Sequence, residues 1–349
     1  ILKGPSSALY GSDGLAGAVS YITKDASDLA DPGNNYYSIS TTYDEDSDQN
    51  KINFLGATVG QNIEALLQIT SRDLSEGELH DDATLTPNPL SADQSSVLGK
   101  LKLILSDSFE ATITADFQEW EGDIELNSDE TMSFYPVILN TSESVGVDEG
   151  TRERVSLKLD FLGESFFENG SINIFTQETE QEQQTTKSQQ TFGNGLQAGP
   201  TELSSEFRNY QFNQSIDGFS AEFFKTIGSD DFGRTHNLVY GFEYESTDTQ
   251  RPRIRVSTNL MTGAQNTFLG GEYYPNKTFP DTETKRTAFY INNRIDLSDK
   301  TSVVIGARND SYELTTEPDQ LFINVNPFGY SLVDQDESKT SLKLGFIRD

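Results

Sequence analysis

Two histidines, a large surplus of carboxylates and no cysteine set the chemistry open to this chain. His80 stands in GELHDDA beside Asp81 and Asp82, a set that can ligate iron or donate an imidazole to a ferric porphyrin. His236 opens a strand-like segment after the turn DDFGRT and reads as structural. Asp44, Asp46, Asp48 and Asn50 take the spacing that begins a calcium loop. Gln49 and Leu55 occupy the positions that need glycine and the bidentate glutamate, so that reading fails. The run GNGLQAG at 193–199 has the wrong glycine spacing for a dinucleotide loop, and neither GxSxG nor HExxH occurs. No nucleophile, base and orienter come together, so the chain reads as a binding or transport protein rather than an enzyme. The aromatic residues Phe134, Tyr135, Phe192, Phe268, Tyr273 and Tyr274 fall in polar connecting segments, where stacking side chains suit a planar ligand. His80, Phe134, Tyr135, Tyr273 and Tyr274 are the candidate ligand-binding set.

The elements that must carry these residues show in the alternation of side chains. Val97, Gly99, Leu101 and Leu103 alternate with Lys100 and Lys102, and Phe109, Ala111, Ile113, Ala115 and Phe117 with Thr112, Thr114 and Asp116. Val155, Leu157, Leu159 and Phe161 oppose Arg154, Ser156, Lys158 and Asp160 in the same way. A period of two with one apolar and one charged face marks strands between unlike surroundings. Strands are expected near 36–43, 51–59, 62–72, 95–105, 109–121, 152–162, 170–180, 206–228, 236–247, 284–297, 301–314 and 339–348. Connections after even strands are short turns, and all but the first after odd strands are long: 73–94, 122–151, 181–205, 248–283 and 315–338. That parity belongs to transmembrane β-barrels. A soluble secreted acidic β-protein binding cations or carbohydrate shares the alternation but has no reason to keep the parity. On the polar face, Glu243, Glu245, Arg294, Asp296, Arg308 and Asp310 are placed to form a salt-bridge ladder on a barrel wall.

Composition agrees. Only 34% of the 349 residues are apolar and the net charge is −31, below the apolar share of an ordinary globular domain. No run is long and apolar enough for a membrane-spanning helix. The acidity and the lack of a visible basic patch exclude nucleic acid as a partner. Absence of cysteine removes disulfides and thiolate metal sites. The chain opens at Ile1 and stops within a strand pattern, which reads as a piece of a longer protein.

Residues 3–24, KGPSSALYGSDGLAGAVSYITK, place Gly4, Pro5, Leu9, Tyr10, Gly11, Gly14 and Gly17 in a tightly packed, glycine-rich segment. It resembles the end of the plug domain of a TonB-dependent outer-membrane receptor, with Lys3 for the usual arginine and Ala16-Gly17 for the usual glycine pair. Residues 279–312 are similar to a segment of the haem/haemoglobin branch of those receptors: Phe279-Pro280-Asp281-Thr282, Tyr290, Gly306, Arg308, Asp310 and Tyr312 match, while Asn309 replaces an aromatic and Asn293 an acid. The branch's later FRAP…NPNL region would follow Asp349, and Pro87-Asn88-Pro89-Leu90 is not its equivalent. The resemblance implies an all-β fold: the end of a plug (1–25), a linker (26–35) and a partial antiparallel barrel (36–349) with about 12 of 22 strands. It implies an outer-membrane receptor that works with TonB, through a segment preceding this chain, to take up haem, free or from haemoglobin. A ferric-siderophore or cobalamin receptor is the alternative within the family. Haem or a ferric chelate would be cargo; no permanent cofactor or metal is implied.

Overall fold

The computed structural model describes residues 2–3, 17–18, 22–77, 87–134, 137–163, 165–228, 233–326, 329 and 332–348. Twelve long strands form one antiparallel meander in which each pairs with its neighbours in the chain. They are β1 (Asn35–Asp44), β2 (Gln49–Val59), β3 (Ile63–Ser75), β4 (Leu90–Ser106), β5 (Phe109–Glu125), β6 (Ile138–Leu162), β7 (Asn169–Phe192), β8 (Glu202–Ile227), β9 (Thr235–Gln250), β10 (Asp281–Ser298), β11 (Thr301–Glu317) and β12 (Gln335–Arg348). Every expected strand is present at its place, and β1 and β12 do not pair with each other.

Strand register joins the apolar positions into a continuous belt. Leu67 pairs with Gly99, Leu101 with Ile113, and Ile113 with Leu157. Leu157 pairs with Ile174, Ile174 with Phe219, and Ala221 with Phe242. Phe242 then pairs with Phe289, Ile291 with Ala307, and Ala307 with Leu342. Among the described residues no second layer covers this belt: Phe289 is 58% exposed and Ile174 48%, both on strands flanked by neighbours on either side. So broad an exposed apolar band is a bilayer contact, because a water-facing surface does not sustain one. The opposite face is polar and forms the inner wall.

The inner wall holds its charges in pairs. Arg308, 4% exposed, donates to Glu243 at 2.5 Å and to Asp310 at 2.8 Å, and its guanidinium lies 5.5 Å from the Tyr290 ring centre. Tyr290 donates to Glu222 at 2.8 Å, and Arg294 to Asp296 at 2.9 Å. Five of the six residues expected to form a ladder thus pair, and Glu245 makes no ion pair among the described residues; a desolvated cation such as Arg308 persists only when matched in this way. Tyr290 reaches Glu222 across Gly241, where an added Cβ would stand 2.5 Å from the Ala221 carbonyl oxygen and 2.6 Å from the Tyr290 ring. Gly241→Ala is therefore expected to destabilise the barrel by about 1–3 kcal/mol. Gly99→Ala, which meets nothing within 4 Å, should leave the urea midpoint of the refolded receptor unchanged.

Residues 22–30 lie against this same face. Ala26, 3% exposed, packs with Ala57, Val59 and Leu66, and Lys100 donates to the Thr23 carbonyl at 3.0 Å and to Asp25 at 2.7 Å. The front of the expected linker is thus a docked 3-10 turn, Ala26–Asp28.

Turns after even strands are short, as expected. The connections after odd strands differ, because β6, β7 and β8 run on through much of 122–151 and 181–205. These strands have 24 to 26 residues, whereas about 9–11 cross a bilayer. Their outer ends therefore stand beyond the membrane as a projecting sheet.

Candidate functional site

The strand β9 does not end in a loop at Gln250. Asn213 pairs with Gln250 and Tyr210 with Arg253, so the register against β8 carries unbroken through Arg251 into a further strand, Pro252–Asn259. Two-residue alternation then sets Arg251, Arg253 and Arg255 on the face that Gly241, Glu243 and Glu245 occupy lower down, which is the inner face. Register brings Arg208 opposite Arg255 and Tyr210 opposite Arg253 on that face.

Aromatic rings and two carboxylates hold the four guanidinium groups. Arg251, exposed, lies 5.1 Å over Phe212 and 5.9 Å over Phe279, with no carboxylate at salt-bridge distance among the described residues. Arg253 lies 5.6 Å from the Tyr274 ring centre, donates to Asn276 at 2.9 Å and pairs with Glu272 at 2.8 Å. Arg255 donates to both oxygens of Glu206, at 2.9 and 3.0 Å, and Arg208 donates to the same carboxylate at 2.5 Å. Burial pushes the Glu206 carboxyl up, but hydrogen bonds from Arg255 and Arg208 outweigh it and hold the group below its ordinary range. Four cations face two carboxylates, which leaves a positive patch in a strongly acidic chain.

A buried clasp fixes this wall to the next connection. Lys277, 6% exposed, donates to both oxygens of Asp281 at 2.7 Å and to Asp319 at 2.8 Å. Asp319 caps the short helix α1 (Gln320–Val325) by accepting from the Phe322 amide at 3.0 Å. Burial works against both charges, yet Lys277 sits above its ordinary range because it donates to Asp281 and Asp319, and Asp319 sits below because it accepts from Lys277 and the Phe322 amide.

Of the expected ligand residues, His80 and Tyr135 lie outside the described residues, as do Gly4, Pro5, Leu9, Tyr10, Gly11 and Gly14; Gly17 belongs to the two-residue strand Gly17–Ala18, paired with Leu2–Lys3. Phe134 is exposed in the β5–β6 connection and has no ring partner among the described residues. Tyr273 is exposed and packs on Phe268, their ring centres 4.7 Å apart, while Tyr274, 8% exposed, is held under Arg253 and Arg255. Among the described candidates, Tyr273 and Tyr274 share one loop. His236 meets the Asn293 amide at 3.0 Å near the short-turn end of the sheet.

The arginine wall corrects the reading that no basic patch exists. Its signal was RPRIR at 251–255, three arginines at every second position, hidden by Pro252, which argues against a strand.

A twelve-strand meander with a lipid-facing belt, a charged inner wall and long outer connections defines an outer-membrane β-barrel of the receptor type. A family model described as TonB dependent receptor-like, beta-barrel, matches residues 99–347. The chain belongs to that family of outer-membrane receptors. No curated protein matches it. Among solved structures, it is similar to BauA, the ferric preacinetobactin receptor of Acinetobacter baumannii, with a TM-score of 0.59 and 16% identity over 99% of this chain and 49% of that one. It is also similar to PiuA, a siderophore receptor of the same organism, at a TM-score of 0.53 and 13% identity over 99% of this chain and 50% of that one. The chain spans about half the length of these structures.

Proposed function

We propose that the intact protein captures a ferric chelate at the outer surface and takes it up through energy coupled by TonB. The observation that carries this reading is the arginine and aromatic wall on the inner face, just above the membrane. A scarce solute cannot be concentrated by diffusion, whereas two receptor conformations of unequal affinity, coupled to an energy source, can do so. Support for a plug, ending near residue 25, comes from the docking of residues 22–30 on the inner wall. The similar structures are those of a ferric preacinetobactin receptor and a siderophore receptor, which agrees with such a cargo.

Haem is the second reading, favoured by the match at Phe279-Pro280-Asp281-Thr282 and by His80 as a possible axial donor. Bacteria lacking their other iron receptors and expressing the full-length protein test both. Growth on a ferric chelate that disappears without TonB is expected. Growth on haem alone, with a Soret change abolished by His80→Ala, would replace the chelate by haem. TonB-independent growth, or none on either source, would refute the proposal.

A further inference from the structure

We infer that the cargo is a net-negative ferric chelate whose donor oxygens are carried on aromatic rings, and that Arg251 and Arg253 contact it directly. The inference rests on the uptake reading above and narrows its substrate class. Arg251 lies 5.1 Å over Phe212 and 5.9 Å over Phe279 and donates to no carboxylate among the described residues, which leaves its N–H edge to an incoming acceptor. Such an edge matches paired anionic oxygens, and the flanking rings offer a surface for an aryl group.

The nearby carboxylates of β7 and β9 lie on the opposite face of the sheet from this patch. The outer stretches of β7 and β9 carry Glu178, Glu180, Glu182 and Asp248, which repel a negative ligand from their own face of the projecting sheet. Arg208 and Arg255 are committed to Glu206, and that carboxylate stays charged. Arg251 has no carboxylate partner among the described residues, and Arg253 holds Glu272 through one terminal nitrogen only. A neutral trihydroxamate gains little from this arrangement, and a cationic chelate is repelled.

The test uses the full-length receptor in detergent, with quenching of intrinsic fluorescence by two probes: ferric tris-catecholate, which is an anion, and a neutral ferric trihydroxamate. Tighter binding of the catecholate is expected, weakened roughly ten- to a hundred-fold by Arg251→Gln combined with Arg253→Gln. Arg251→Lys alone keeps the charge but loses the fork, and should weaken binding less than Arg251→Gln. Folding of each variant is checked by the slower migration of the boiled protein on gels. Preferential binding of the trihydroxamate, or catecholate binding indifferent to a folded double variant, would overturn the inference and leave uptake of a ferric chelate standing. Binding of neither probe beside tight binding of haem would overturn both.

Discussion

Leu157→Arg is expected to block assembly of the receptor into the outer membrane. Leu157 lies at the middle of the belt, paired with Ile113 on one side and Ile174 on the other. An arginine at this depth costs about 2–4 kcal/mol, a large part of the stability of most domains. Ser156→Arg, one residue along on the inner face, puts the same charge into water and should assemble normally. Outer-membrane fractions probed for folded barrel distinguish the two. Equal assembly of both variants would mean that the belt does not meet lipid.

Lys277→Met is expected to release two outer connections at once. Lys277 is the shared cation of Asp281 and Asp319, and its removal leaves two carboxylates facing each other without a counter-charge. Breaking a buried ion pair from one side costs about 3–5 kcal/mol, and the partial exposure of Asp319 places this case near 3. Amide exchange should quicken in Glu272–Asp281 and in α1, while β4 to β7 stay protected. The ligand wall would loosen too, because Asn276, fully buried next to Lys277, holds Arg253. Unchanged exchange in α1 would show that Asp319 is held by its helix alone.

The strands were legible because hydrocarbon and water select opposite side chains at every second position between, for example, Val97 and Phe117. Their true lengths were not. In β7 the outer residues Glu180–Gln190 read EQEQQTTKSQQ, polar on both faces, since above the membrane both faces meet water. Periodicity carries no signal there, and the segment passes for a loop. Loop aromatics were legible as a type, but not their partners. Tyr274 reaches its place under Arg253 and Arg255 through the fold of the 260–280 connection, which no local pattern encodes. The arginine patch needed the register as well, because Arg208 lies more than forty residues before Arg251 and joins it only through pairing of β8 with the strand after β9.

The central claim is that one face of this sheet meets lipid and the other water. These 349 residues hold no cysteine; with any cysteine elsewhere in the full-length receptor replaced by serine, nitroxide labels can be placed singly at residues 154–161 and the receptor reconstituted in bilayers. Oxygen, which partitions into hydrocarbon, should relax labels at 155, 157, 159 and 161. A water-soluble nickel chelate should relax those at 154, 156, 158 and 160. Odd positions shielded from both reagents would mean that protein, not lipid, covers the belt, and would contradict the account.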